Sequence, residues 1–183
     1  MALGWNFTEP EILQSQGIAS ARFGDFIFRE LIPRLDDLAS RLQAPSARFL
    51  DVGTGVGAIS IAACRFLPNL HAIGLEPQDA PLTEARRNIT AAGLTDRIEL
   101  REQRIEDMAD KETFDLAFLP QSFMSDDVVK RGFRISGERF DLAAGSWCRQ
   151  FVFQGWSFRL HYHDCVIRSG VAVLVSHLRY KRC

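Results

Sequence analysis

Several kinds of feature are missing from this chain, and their absence narrows what it can be. Its four cysteines form no CxxC pair: Cys64 stands alone, and Cys148, Cys165 and Cys183 lie far downstream. Without such spacing there is no disulfide framework or cysteine-paired metal site, and we expect free thiols. No apolar run reaches the roughly 18 residues of a transmembrane helix, so no membrane partner is expected. The opening MALGWNFTEPEILQSQG is too polar for the apolar core of a signal peptide, and we expect a cytoplasmic protein. The formal net charge of −1 leaves no whole-chain footprint for nucleic acid. Internal repeats and low-complexity tracts are also missing.

What remains is an ordinary globular composition. The 183 residues are 46% hydrophobic and 25% charged, enough for one domain with a sizeable core. Charge is unevenly spread. Residues 1–129 hold 12 Lys and Arg against 20 Asp and Glu, and residues 130–183 hold 10 against 3.

Hydrophobic periodicity predicts helices first. EPEILQSQG reads as a short helix stopped near Gly17. SARFGDFIFRELIPRLDDLASRL then places Phe23, Phe26, Phe28, Leu31, Leu35, Leu38 and Leu42 near one broad face, with Pro33 kinking or dividing it. From Arg48 the pattern alternates. RFLDV, LHAIGLEP, RIELREQ and FDLAFLP read as strands. GAISIAACRFL and APLTEARRNITAAG read as helices, the second closed by Gly93, and RIEDMAD as a turn or short helix. Such alternation predicts a doubly wound, mostly parallel α/β sheet of Rossmann-like type. Helices cover both faces and an N-terminal helical cap precedes it.

The stretch RFLDVGTGVGAISI joins the first strand to a helix through Gly53, Gly55 and Gly57. Glycines there permit a tight turn that a nucleotide-type ligand can approach. Glu76, at the end of the next strand, suits two ribose hydroxyls. GTGVGA also satisfies a dinucleotide fingerprint, so an NAD-dependent oxidoreductase is one reading. Asp51 argues against it, because a carboxylate beside this turn repels a pyrophosphate. S-adenosyl-L-methionine (SAM) presents a sulfonium and an ammonium there, and an acid suits both.

FLDVGTGVGAISIA, HAIGLEP, RIELREQRIEDM and FDLAFLPQSF together resemble the class I SAM-dependent methyltransferases, over roughly Ala47 to Met124. The resemblance implies a SAM cofactor. Its methionine part falls to Asp51, Gly53, Thr54, Gly55 and Gly57, and its ribose to Glu76, followed by Pro77. The adenine is flanked by Gln103, Arg104 and Ile105, and the transferred methyl faces Leu119, Pro120 and Gln121. Two departures stand out. Gln103-Arg104 replaces the Gly-Asp that many members place after the third strand. LPQSF lacks the polar first residue of the Asn/Asp-Pro-Pro-aromatic motif common in amine and base methyltransferases. The resemblance therefore implies methyl transfer from SAM to an oxygen or nitrogen of a small-molecule acceptor, with nucleic acid not expected. No general base is identified. Asp126 and Asp127 are candidates, but a helix start at MSDDVV is the stronger reading of them; Gln14, Gln16 and Ser20 are candidates for the acceptor side, as are Trp5, Phe26 and Phe28, whose helical spacing more often marks core.

Three segments follow: a helical cap over residues 1–46, a SAM-binding α/β core over 47–130, and an atypical tail over 131–183. The tail shows no Leu-x-Pro-Gly-Gly turn of the kind the family places before its fifth strand. Read one base out of frame with permitted synonymous codons, GFRISGERFDLAAGSWCR becomes IPHIWRALRPGGWILVP, which contains such a turn and the apolar strand after it. One reading is thus a frameshift from about Gly132, in the gene or in its sequencing, leaving an inactive or truncated SAM-binding fragment. The other is a folded strand hairpin from QFVFQGWSFRLHYHD and CVIRSGVAVLVSHLRYK. In that hairpin His161, His163 and Cys165 would share one strand face, with His177 or Cys183 as a fourth zinc ligand. We expect no metal.

Overall fold

The computed structural model describes residues 7–34, 36–108 and 114–120, together with the strands 148–153, 156–161, 165–168 and 171–175. Among the described residues the α-helices are α1 (Pro10–Phe26), α2 (Asp36–Leu42), α3 (Ala58–Phe66) and α4 (Asp79–Ala91). Strands β1 (Arg48–Val52), β2 (His71–Leu75), β3 (Ile98–Arg101) and β4 (Leu116–Leu119) are mutually parallel where they pair. They lie side by side in the order β3-β2-β1-β4. The chain thus winds outward from β1 to β3 and then returns to the other side of β1. That reversal creates a crevice between β1 and β4 at the carboxyl ends of the strands.

Period-two alternation explains the two cores. Phe49 points to one face of β1 and packs with Ala72, Ile98, Leu116 and Phe118 from the other strands. The helices cover this face through Phe28, Ile59, Ala62, Ala63, Cys64 and Ile89. Leu50 and Val52 point the other way, onto Ile73, Leu75, Ala117 and Leu119, where Ile105, Met108 and Phe114 complete a second cluster. Both faces of β1, β2 and β4 are buried, which is why these strands read as largely apolar runs, while β3 at the edge keeps the polar Glu99 and Arg101. Helical cover expected after β4 lies outside the described residues, as do Leu35, Trp5, Gln121, Asp126 and Asp127.

One expectation about the cap is corrected. α1 does not stop at Gly17 but runs through it to Phe26. Gly17 serves a close approach instead: a Cβ there would lie 2.4 Å from Val56 Cγ2. Gly24, one helical face along, would put a Cβ 2.9 Å from Ala62 Cβ. The pair lets α1 settle onto α3. The cap then widens into a π-turn (Ile27–Leu31) and tightens into a 3-10 turn (Ile32–Arg34) around Pro33, which divides α1 from α2 as expected. Of the anticipated apolar face, Phe28, Leu38 and Leu42 are buried, while Phe23 and Leu31 pack at its margin. Ile27, in the π-turn, and Ile32, in the 3-10 turn, lie outside that face and are buried as well. Gly93 closes α4 with φ +68°, as the sequence predicts.

Downstream, β5 (Cys148–Phe153) and β6 (Trp156–His161) form their own antiparallel pair. Strands β7 (Cys165–Arg168) and β8 (Val171–Val175) form another, with β8 parallel to β4. His161 therefore ends one strand and Cys165 begins another in a different sheet, which removes the shared strand face proposed for zinc. His163, His177 and Cys183 lie outside the described residues. Among the described residues no group of three or more His, Cys, Asp or Glu could hold a metal ion. No helix among them is long and apolar enough to cross a membrane.

Candidate functional site

The predicted site residues converge on the carboxyl edge of the sheet. Asp51 and the glycine turn follow β1, Glu76 and Pro77 follow β2, Gln103 to Ile105 follow β3, and Leu119 and Pro120 end β4. Because β3, β2, β1 and β4 are neighbours, these four segments border one crevice.

Backbone bonds fix the glycine turn. The N–H groups of Gly53 and Thr54 both donate to the Leu75 carbonyl, at 2.8 and 2.9 Å, tying the turn to the end of β2. Gly57 N–H donates to the Thr54 carbonyl at 2.9 Å. Gly53, Gly55 and Gly57 all have positive φ, at 69°, 57° and 79°, a conformation that costs L-residues with side chains. At Gly55 a Cβ would meet nothing within 4 Å. The turn therefore leaves an open cradle there, shaped by the missing side chain.

Two carboxylates stand behind the cradle in different ways. Asp51 is 1% exposed, and its Oδ2 accepts from Thr54 Oγ1 at 2.8 Å and Ser60 Oγ at 2.7 Å. Burial pushes its carboxyl above the usual range, and the Ser60 and Thr54 hydrogen bonds pull against that rise. Its partners are the turn and the first turn of α3, so its carboxylate braces the turn from beneath. Glu76 is 7% exposed and links two backbone segments. Its Oε2 accepts from Gly55 N–H at 3.1 Å and its Oε1 from Gln78 N–H at 3.0 Å. Burial raises its carboxyl too, the two backbone donors lower it, and the neighbouring Asp51 raises it further. A buried pair of carboxylates beside an open glycine turn fits a ligand that brings positive charge and hydroxyl donors.

The remaining predicted positions differ in character. Ile105 is buried in the second core and forms an apolar wall. Gln103 is half-buried and its Nε2 donates to the Asp107 carbonyl at 2.8 Å, across the loop after β3. Arg104 is exposed. Leu119 is fully buried, and Pro120 is half-buried at the rim. Cys64 is a free, buried thiol pushed up to about 11 by its burial, which leaves it inert at neutral pH.

Sequence reading missed several supporting residues. Ser60 holds Asp51 from α3, nine positions downstream, and no motif signals it. Gly74 lies inside β2, where a Cβ would come within 2.9 Å of Thr54 Cγ2, so it makes room for the turn. Asn88 and Glu84 reach the turn and the cap from α4. Gln14, anticipated on the acceptor side, instead donates to Glu84 Oε2 at 2.8 Å.

Comparisons with known proteins follow the same segment. A family model described as "Methyltransferase domain" matches residues 44–134. A release factor glutamine methyltransferase from Rhodopirellula baltica is 32% identical over 88 residues, covering 47% of this chain and 30% of that protein. A ubiquinone biosynthesis O-methyltransferase from Hahella chejuensis is 34% identical over 79 residues, covering 43% of this chain and 32% of that protein. The chain thus spans about a third of the length of these curated relatives. Among solved structures, a precorrin-6y C5,15-methyltransferase from Geobacter metallireducens aligns with TM-score 0.44 and 22% identity, over 54% of each chain.

Proposed function

We propose, from the membership of residues 44–134 in the class I SAM-dependent methyltransferase family, that this chain binds SAM at the glycine turn and serves methyl transfer. One observation carries the reading: an open cradle at Gly55 is clasped by a buried carboxylate, Glu76, at the end of the adjacent parallel strand. Glu76 is placed to accept ribose hydroxyls while its backbone bonds hold it in position. Gly53, Thr54, Gly55 and Gly57 would hold the methionine part, with Asp51 fixing the turn from beneath. Pro77, Gln103, Arg104 and Ile105 would flank the adenine, and Leu119 and Pro120 would face the reacting methyl. When bound, SAM supplies a methyl group already activated by its sulfonium. The chain's own residues then need only orient the acceptor and exclude water.

For the acceptor we propose an oxygen or nitrogen of a small molecule. Leu119, apolar where amine and base methyltransferases often place a polar residue, weighs toward oxygen within that pair. Protein and small-molecule substrates both occur in the names of the relatives, so an acceptor panel should include release-factor-type peptides. The test of the cofactor is calorimetry with SAM, S-adenosylhomocysteine and NAD. Binding of SAM and its product without NAD is the expected outcome. Binding of NAD alone would replace the reading with an oxidoreductase.

A second proposal concerns the tail. The family match ends at residue 134, close to Gly132, where the out-of-frame reading restores the expected turn and strand. We propose a frameshift there, which makes this chain a SAM-binding fragment with impaired turnover. The nucleotide sequence of the gene decides it: codons that do not spell the turn in the shifted frame refute the proposal.

A further inference from the structure

The N-terminal helix reaches the glycine turn at two separate points. At the first, Gly17 brings the backbone of α1 against the Val56 side chain so closely that a Cβ would sit 2.4 Å from Cγ2. At the second, Gln14 and Asn88 form a reciprocal amide pair. Gln14 Nε2 donates to Asn88 Oδ1 at 3.2 Å, and Asn88 Nδ2 donates to Gln14 Oε1 at 3.3 Å. Asn88 Nδ2 also donates to the Val56 carbonyl at 3.0 Å. A primary amide carries two N–H donors, so both bonds form together. Gln14 is held in turn by the buried Glu84, whose Oε2 accepts from it at 2.8 Å.

This chain of bonds ends on one peptide unit. The Val56–Gly57 peptide has its carbonyl bound by Asn88 and its N–H bound to the Thr54 carbonyl. Gly57, at φ +79°, can visit other φ values, so that plane is held by two bonds together: its N–H to the Thr54 carbonyl and its carbonyl to Asn88. Asn88 supplies its bond from α4, and Gln14 holds Asn88 from α1. Gly55, the cradle residue, lies one position before Val56.

We propose that Gln14 and Asn88 are positioning residues for the cofactor turn, so that cofactor affinity depends on docking of the N-terminal helix. The proposal rests on the reading of the turn as the SAM site. By thermodynamic reciprocity, a cofactor in the cradle strengthens the docking of α1 by the same factor.

The experiment is calorimetry of S-adenosylhomocysteine binding to the full chain, paired with thermal unfolding without ligand. Asn88→Ala and Gln14→Ala are compared with Arg97→Ala. The Arg97 variant removes bonds to the Leu67 and Pro68 carbonyls, far from the turn. Each of the first two variants is expected to weaken S-adenosylhomocysteine about fivefold, the size of one net hydrogen bond. Arg97→Ala is expected to lower the melting temperature without moving Kd. Added S-adenosylhomocysteine should slow amide exchange in α1 of the unaltered chain and do so less in Gln14→Ala. Affinity unchanged in both Asn88→Ala and Gln14→Ala overturns the proposal. Should Asn88→Ala fail to fold, Gln14→Ala decides, since it leaves the Asn88 bond to Val56 in place. If the unaltered chain shows no binding at all, the cofactor reading fails first and takes this one with it. Binding by the unaltered chain with no effect of either variant removes the positioning role alone.

Discussion

Asp51 and Glu76 show how a single residue can serve a site it does not simply line. Asp51 is the acid most easily found in the sequence, yet its carboxylate is turned toward Thr54 and Ser60. Ser60→Ala therefore removes a donor from a buried carboxylate, and a loss of about 1.5–3 kcal/mol is expected in urea unfolding. Burial holds both carboxyls above their ordinary values, so the folded state binds protons more readily than the unfolded one. Their contribution is most favourable below the ordinary values of 3.8 and 4.5, and it is lost as pH rises through the higher folded values. Asp51→Asn retains an oxygen acceptor but no charge. Its stability relative to the unaltered chain should increase from below pH 3.8 toward neutrality, as read by melting temperature across that range.

At the scale of the element, α1 reverses the usual rule for glycine. Replacing a mid-helix glycine by alanine ordinarily stabilises a helix by roughly 0.5–1 kcal/mol. In α1 the new methyl at Gly17 would collide with Val56, and at Gly24 with Ala62. Gly17→Ala and Gly24→Ala should therefore each destabilise, by about 1–3 kcal/mol, as overpacking does elsewhere. Gly17→Ala should in addition weaken S-adenosylhomocysteine, because its clash falls on the turn. Equilibrium unfolding and calorimetry separate the two effects. α3 has a similar logic: its small residues Ala62 and Ala63 are buried where the cap approaches, which is why an apolar helix of only nine residues carries so much contact.

For the whole molecule, the parallel order β3-β2-β1-β4 gathers four chain segments at one edge and leaves a crevice at the reversal between β1 and β4, where we propose the cofactor binds. A ligand there bridges segments from three or four strands and binds only the folded chain. Saturating S-adenosylhomocysteine should thus raise the melting temperature, increasingly with concentration, while NAD should leave it unchanged. The frameshift proposal also belongs at this scale. Restoring the shifted frame from about Gly132 should yield a chain with higher melting temperature and greater turnover on the same acceptor panel.

The strands, the two helices between them and the glycine turn were legible in the sequence because they rest on local rules. Apolar runs of strand length, a glycine at each positive φ and an acid at a strand end all act within a few residues of chain. Glu76 and the three glycines needed nothing more. The path of α1 through Gly17, the grip of Ser60 on Asp51 and the link from Gln14 through Asn88 to Val56 were not legible. Each depends on a contact between residues far apart in the chain or on different faces, up to 74 positions for Gln14 and Asn88. A glycine reads locally as a helix stop, and only the neighbour packed against it reveals that its missing side chain is what the fold requires. Local chemistry in the sequence thus determined where the glycine turn would form. Tertiary packing decided what holds that turn in shape, because hydrogen bonds and van der Waals contacts across the fold depend on distances that spacing along the chain does not contain.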